Sequence, residues 1–287
     1  MPSSSSTVAS VVDGLHTAVK IRGGYLHISL MANMIQNAIK PLASYSDRPM
    51  PNRLTIGEAV CLLWQDSETG EVGGRKACLD RKCAVLASLF VDLVSMKRIT
   101  LTECPGRLYG QNLLVEVTST AATAHPAQDL LLQRLSKSSE PLPLNSWLRR
   151  LYLKSGHYVT ALFDSLVSRG ILSCEKNSTY SSVVDLRVYP TVDPTWKQTL
   201  IEQVRATVFD GASTTEFHTA VLLVARIADK PYYGHPILEH VFTPEELAAG
   251  AKQHICNSAG KLKSSSDSLD SEGTSLLSID KNVIPTH

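Results

Sequence analysis

The amino-acid sequence predicts a mainly α-helical protein, in which a single large helical domain carries peripheral β-hairpins between two disordered tails. The 287 residues are 43% hydrophobic and 19% charged, values that are typical of a globular chain. Apolar residues recur at helical spacing through most of the region 53–255. Two short stretches in that region alternate between apolar and polar residues and are followed by turn-forming residues, which predicts two hairpins.

Composition divides the chain into three parts. Residues 1–52 are predicted to be a partly disordered leader, which is Ser-rich at its start and has helical apolar spacing over 26–39. That stretch is interpreted either as a short helix packed on the domain or as a contact for a partner or membrane. Few basic residues flank it, which favours packing. Residues 53–255 form the predicted domain, and the Ser-rich residues 256–287 are predicted to be a disordered tail.

Helix-start signals place the first two helices of the domain. Thr55 lies three residues before Glu58, the spacing of a capping box, and predicts a first helix over 54–63. Asp80 is predicted to cap the second helix. Apolar residues form a broad stripe over 85–94, so we expect that face of the second helix to be buried.

The two hairpins are predicted from alternation and from the residues between their strands. Residues 99–102 read Ile-Thr-Leu-Thr, a Pro-Gly pair follows, and an apolar stretch at 114–117 supplies the return strand. Residues 171–174 and 183–189 are predicted to pair in the same way around an Asn-Ser turn.

Apolar spacing predicts the remaining helices. Four of them cover 130–135, 147–153, 159–167 and 200–208. The third is expected to end at Gly170, because glycine is favoured just beyond the C-terminus of a helix. Residues 220–228 are apolar nearly all round, so we predict that they form the buried central helix.

The sequence lacks the patterns that accompany common catalytic and cofactor sites. No GxSxG, HExxH, GxGxxG or P-loop pattern is present. The six Cys include no CxxC pair and the nine His are dispersed, so neither a metal site nor another cofactor is predicted. We therefore predict that the protein is not an enzyme and that its Cys residues are reduced.

Charge and hydropathy predict a protein that stays in the cytosol unless it is recruited elsewhere. No apolar run approaches the roughly 20 residues that a membrane-spanning helix requires. Neither a secretory signal nor a lipidation signal is apparent at the termini. Lys and Arg total 28 against 27 for Asp and Glu, so that any binding of anions has to come from a local patch.

Several segments resemble, in order, those of the Golgi phosphoprotein 3 family. Residues 54–63 (LTIGEAVCLL) are similar to the opening LTLxEEVLLL helix of that family, and 97–101 (KRITL) resemble its RGRLxL strand. Residues 166–172 (LVSRGIL) resemble its LVEKGVL segment. The segments that begin at Tyr189 and Thr199 follow in the family order, as does the apolar helix that begins at Thr219, and the resemblance spans about 53–254.

This resemblance implies a peripheral adaptor on the cytosolic face of the Golgi membrane, with a cytosolic pool. The implied partners are membranes that contain phosphatidylinositol 4-phosphate, the cytosolic tails of glycosyltransferases, and coatomer. The implied roles are glycosyltransferase retention and vesicle trafficking. The resemblance leaves open whether the protein forms a homo-oligomer.

The lipid-binding residues of the family are not matched in this chain. The family uses a Trp and three Arg, and an ungapped count places these on Ala77, Leu86, Gly156 and Val159. Two groups of basic residues lie nearby, and we predict that they form a displaced headgroup site, since a phosphate needs several charged donors. The alternative is that they are ordinary solvated charges. The two groups are Arg75, Lys76, Arg81 and Lys82, and then Arg149, Arg150 and Lys154.

Two other functional interpretations remain open. One is a divergent interaction protein that has lost lipid binding. The other is a winged-helix-like nucleic-acid binder, because helices at 147–153 and 158–169 precede a hairpin. The recognition helix in that interpretation would carry one basic residue, Arg169. DNA affinity depends mainly on contacts between basic residues and phosphates, so we predict no nucleic-acid partner.

Overall fold

Helices dominate the part of the chain that the structure describes. The computed structural model describes residues 35, 39–43, 53–72, 79–104, 112–152, 154–176, 187–209, 215–227 and 237–248. Within these ranges the protein is mostly helical with a small antiparallel sheet of three strands, which confirms the predicted class.

The first two helices form the interior of the domain. Helix α1 spans Ile56–Trp64 and begins with the predicted capping box, in which the Glu58 amide donates to Thr55 Oγ1 over 3.1 Å. Every residue of α1 is buried. Helix α2 spans Leu79–Ser95. Asp80 lies inside α2, so the prediction that it caps the helix is wrong, because a capping residue must precede the first helical residue.

The first predicted hairpin is confirmed and extended by a third strand. Strands β1 (Ile99–Cys104) and β2 (Asn112–Val117) are antiparallel, with Ile99 opposite Val117. The predicted Pro-Gly turn lies outside the described residues. Strand β3 (Leu142–Pro143) pairs with β2 at the edge of the sheet, where a proline that lacks an N–H is tolerated.

Three helices follow the sheet and lie close to the predicted positions. Helix α3 spans Pro126–Leu135, α4 spans Leu144–Tyr152 and α5 spans Ser155–Ser168. Gly170 follows α5 with a φ of 71°, which confirms its predicted role at the helix end. Helix α3 starts earlier than its leucine spacing indicated, because Pro126 is suited to the first helical position.

The pairing of the second hairpin is also confirmed in its described part, although its first strand lies just beyond the predicted 171–174. Strands β4 (Glu175–Lys176) and β5 (Arg187–Val188) are antiparallel, and a bridge between Leu172 and Thr191 continues the pairing. The Asn-Ser turn predicted between them falls outside the described residues.

The remaining elements pack mainly on α1, on α2 and on one another. Helix α6 spans Thr195–Phe209 and α7 spans Glu216–Ile227; a 3₁₀ turn at Ile237–His240 and the short α8 at Pro244–Glu246 follow. The burial predicted for 220–228 is confirmed through Ile227, apart from the exposed Arg226. The prediction that 220–228 form the central helix is wrong, because α2 occupies that position and packs against α1, α3, α4, α5, α7 and β1.

Part of the leader belongs to the same hydrophobic core as the domain. Ile35, Ile39 and Leu42 are almost completely buried in it. Lys40 Nζ lies 2.7 Å from Glu103 Oε1 of β1. The favoured interpretation of the amphipathic stretch, packing on the domain, is therefore confirmed at Ile35 and Ile39. The rest of that stretch and the tail at 256–287 lie outside the described residues.

Candidate functional site

The first predicted group of cations lies at the start of α2. Arg81 is only 3% exposed, and its guanidinium carbon lies 5.5 Å from the centre of the Trp64 ring. Lys82 is half-buried. Arg75 and Lys76 lie outside the described residues. The low exposure of Arg81 is unlike that of a cation that meets a membrane surface, and it shows that this side chain packs on α1.

The second predicted group is exposed. Arg149 and Arg150 occupy the last turn of α4, and Lys154 is the second residue after the end of that helix. The guanidinium carbon of Arg150 lies 5.6 Å from the centre of the Trp147 ring, within the range of a cation–π contact. Trp147 is itself buried, so it holds Arg150 against a fixed surface.

Arg150 lines a surface groove of about 720 Å³, which we call the basic groove. Trp147 and Arg150 of α4 form one side of it. Leu130, Gln133 and Arg134 of α3 form the other side, and the turn after α3 contributes Lys137, Ser138 and Ser139. Neither Arg81 nor Lys82 lines this groove, and neither do Arg149 or Lys154.

The charge of the basic groove is positive. Arg134, Lys137 and Arg150 line it, and no carboxylate is among the described residues that do so. Within the described part of the chain, none of these three side chains forms an ion pair. A concave site lined by one sign of charge concentrates ions of the opposite sign. The Ser139 hydroxyl adds a hydrogen-bond donor, whereas that of Ser138 donates to the Glu140 carbonyl over 2.8 Å.

Arg134, Lys137 and Trp147 were not predicted as site residues. Gln133 and Arg134 lie three and four residues after Leu130, so both share a face of α3 with it. Trp147 and Arg150 are likewise three apart on α4. This spacing is visible in the sequence, but it does not show that the two faces meet, and that meeting is what forms the groove.

An exposed apolar side chain lies at the groove. Among the described residues three large apolar side chains are strongly exposed: Leu130 at 45%, Val192 at 59% and Phe209 at 49%. Only Leu130 of these lines the basic groove. An apolar residue beside several cations is a combination suited to the interface of a membrane with anionic headgroups.

A second cluster of polar residues, at the start of α1, is engaged within the protein. Glu58 accepts hydrogen bonds from Ser165 Oγ and Arg169 Nη1, each over 2.7 Å. Burial raises the pKa of Glu58, but the contacts with His125, the Thr55 amide and Arg169 outweigh it and leave the pKa below its ordinary value. Glu58 is therefore a weak base for Ser165, and this serine does not resemble an activated nucleophile.

A third feature is an apolar pocket of about 450 Å³ between α6 and the start of α7. Leu54, Leu200 and Phe217 line it, and the guanidinium carbon of Arg53 lies 3.8 Å from the centre of the Phe217 ring. Because its walls are mainly apolar, this pocket suits a phosphate less well than the basic groove does.

The fold and its surface define a mainly helical domain that carries a groove lined by three basic side chains. The model of the Golgi phosphoprotein 3 (GPP34) family matches residues 56–253, and the chain belongs to this family. Membership associates the protein with the Golgi. No curated protein matches the sequence. None of the helices in the described ranges has the length and hydropathy needed to span a bilayer.

Proposed function

We propose that the protein is a peripheral membrane adaptor, not an enzyme, that acts at the cytosolic face of the Golgi. It binds phosphatidylinositol 4-phosphate and takes part in glycosyltransferase retention or vesicle trafficking, with glycosyltransferase tails and coatomer as partners. Family membership supports this role and these partners. The observation that carries lipid binding is the basic groove, which Arg134, Lys137 and Arg150 line and in which none of the described lining residues is acidic.

The chemistry of the headgroup fits this groove. A phosphate monoester carries about 1.5 to 2 negative charges at neutral pH and presents three acceptor oxygens. Each charge-assisted hydrogen bond to such a group contributes about 1.5–3 kcal/mol. Trp147 is buried and contributes indirectly, because its ring holds the Arg150 guanidinium in place. The groove thus supplies, at other positions, the chemistry of the unmatched family residues.

Vesicle flotation with matched charge reversals tests the proposal. The wild-type protein is expected to bind vesicles that contain phosphatidylinositol 4-phosphate and to bind phosphatidylinositol vesicles much more weakly. Arg150→Glu removes one donor and places a negative charge in the groove, so binding should fall at least about 10-fold. Arg149→Glu makes the same charge change on the adjacent, exposed residue outside the groove and should have a much smaller effect.

Each alternative predicts a different result. Equal binding to both kinds of vesicle would show that the protein does not recognise the 4-phosphate. Binding to neither would favour a divergent interaction protein without lipid binding. Equal losses in the Arg149 and Arg150 variants would place the effect in the general surface charge and not in the groove. Tight, salt-dependent binding to duplex DNA would favour the winged-helix interpretation.

A further inference from the structure

We propose that the apolar pocket between α6 and the start of α7 binds a small monocarboxylate with an apolar body, whose carboxylate pairs with Arg53. This site is separate from the basic groove, since no described residue lines both. The proposal therefore goes beyond the proposed function and does not depend on it.

The walls of the apolar pocket suit the hydrocarbon part of such a ligand. The volume of about 450 Å³ lies within the range of ordinary small-molecule sites. Leu54, Leu200 and Phe217 are buried residues that line the pocket, and Trp196 supplies a second aromatic surface. Transfer of methylene or aromatic groups from water to such walls is favourable in proportion to the apolar area that they cover.

Contacts within the protein fix the shape of the pocket. His218 Nε2 lies 3.0 Å from Gln203 Oε1 and its Nδ1 lies 2.7 Å from Thr215 Oγ1, so that this ring links α6 to the start of α7. Trp196 is held in turn by Arg169, whose guanidinium carbon lies 5.1 Å from the centre of its ring. A site that is already formed loses little conformational freedom when a ligand binds.

Arg53 determines which charge the ligand carries. Its guanidinium carbon lies 3.8 Å from the centre of the buried Phe217 ring, which positions the cation at the pocket. A guanidinium has five N–H donors and can bind both oxygens of a carboxylate in addition to its contacts within the protein.

The charge of the lining favours a carboxylate over a phosphate. None of the described residues that line the pocket is acidic, and Arg53 is the one Lys or Arg among them. A single arginine balances the one charge of a carboxylate, but only part of the roughly 1.5 to 2 charges of a phosphate monoester. The basic groove, with its three cations, has the opposite preference.

Titration calorimetry of the full chain with alkanoates, below the concentrations at which they form micelles, tests binding. Octanoate should bind at one site and at least about 10-fold more tightly than octanol, because only the carboxylate forms charge-assisted hydrogen bonds with Arg53. Decanoate should bind about 5- to 15-fold more tightly than octanoate, because it buries two more methylenes. Equal affinities for octanoate and octanol overturn the proposal, and so does the absence of saturable decanoate binding.

A second carboxylate identifies the source of the ligand. Naphthoate carries the same head group on an aromatic body. Tighter binding of decanoate than of naphthoate would identify fatty acids as the ligand class, and the reverse order would identify aromatic acids. Either order supports a site for an apolar carboxylate.

Two arginine variants locate the carboxylate. Arg53→Gln removes the charge but keeps the backbone carbonyl of residue 53, which accepts from Arg169 Nη1 over 3.2 Å. It should weaken decanoate binding about 10-fold and change octanol binding less than about 2-fold. Arg150→Gln is the matched control, since Arg150 also lies over an aromatic ring but lines the basic groove, and it should leave decanoate binding unchanged. Equal losses in the two variants would attribute binding to surface charge and overturn the proposal.

A variant that fills the pocket tests its location without a change of charge. Thr199 is exposed and lines the pocket, so that Thr199→Trp should abolish saturable decanoate binding while the core stays intact. Gln198→Trp places the same side chain on an exposed neighbour outside the pocket and should bind decanoate as the wild type does. Undiminished binding by a folded Thr199→Trp variant overturns the proposal. Thermal melts establish that each variant is folded, and the arginine pair decides the question if Thr199→Trp is not.

Discussion

Two buried carboxylates near the start of α1 have pKa shifts of opposite sign. Glu58 is held ionised by Arg169 and by backbone and histidine contacts, as described above. Asp92 of α2 accepts hydrogen bonds from the amides of Ile56 and Gly57 and so caps α1 from another helix. Complete burial nevertheless raises the pKa of Asp92 from 3.8 to about 6, because the two amides offset only part of the desolvation. Asp92 therefore favours its neutral form more strongly when the protein is folded.

The pH dependence of stability should reveal the raised pKa of Asp92. Between about pH 4 and pH 6 the folded protein holds a proton on Asp92 that the unfolded chain releases, so this group lowers stability as pH rises through that window. The substitution Asp92→Asn removes the titrating group and one hydrogen-bond acceptor. It should lower the free energy of unfolding by about 1–3 kcal/mol at pH 4 and by less at pH 7. Urea unfolding at several pH values measures this difference. A constant difference between variant and wild type would contradict the shifted pKa.

At the scale of elements, helix α1 packs closely against α5 through a glycine. A Cβ placed on Gly57 would lie 2.9 Å from Leu162 Cδ2 and 3.2 Å from Ser88 Oγ. These distances are shorter than ordinary contacts, so a larger residue would force the Leu162 side chain to move. The absent side chain is what allows α1, α2 and α5 to meet at this point.

Two separate glycine-to-alanine substitutions test this close approach of the helices. Gly57→Ala should destabilise the protein by about 1–3 kcal/mol through overpacking. Gly156→Ala is a matched control, since Gly156 is also the second residue of its helix, and no described atom lies within 4 Å of the added Cβ. It should stabilise by about 0.5–1 kcal/mol through helix propensity. Chemical denaturation of both variants gives the values, and equal effects would exclude a steric cause.

At the scale of the whole molecule, the proposed function places the surface formed by the basic groove and Leu130 against the membrane. Leu130 is exposed on α3 beside Arg134 and contributes to the groove wall. In the proposed orientation the cations bind the headgroup phosphate while Leu130 enters the interfacial layer. Burial of an apolar side chain of this size contributes about 1.5–3 kcal/mol when complete, and proportionally less from a surface that is already half covered.

Replacement of exposed apolar residues tests the orientation. Leu130→Ser should weaken binding to phosphatidylinositol 4-phosphate vesicles about 3- to 10-fold, because it removes the apolar contact and leaves the cations in place. Val192→Ser changes another strongly exposed apolar residue, one that does not line the groove, and should leave binding unchanged. Vesicle titration of the two variants gives the ratio. Equal affinities of the two variants for these vesicles would show that this face does not contact the bilayer.

The sequence predicted most elements but only part of the candidate site. Thr55 and Gly170 were identified correctly because capping boxes and left-handed helix ends are set by residues a few positions apart. Asp80 was misassigned, since propensity locates a helix end only to within a few residues. Arg81 and Arg150 were equivalent as basic residues beside apolar stretches, yet one packs on Trp64 and the other lines the groove.

The sequence by itself determined the helical class, the two hairpins and the family, because these depend on periodicity, local capping and segment order. The tertiary structure alone decided that α2 occupies the centre, that Asp92 caps α1 across 35 positions of sequence, and that α3 and α4 enclose a groove. These features bring together residues from separate elements. Their positions follow from how the whole core packs, which no local pattern of residues encodes.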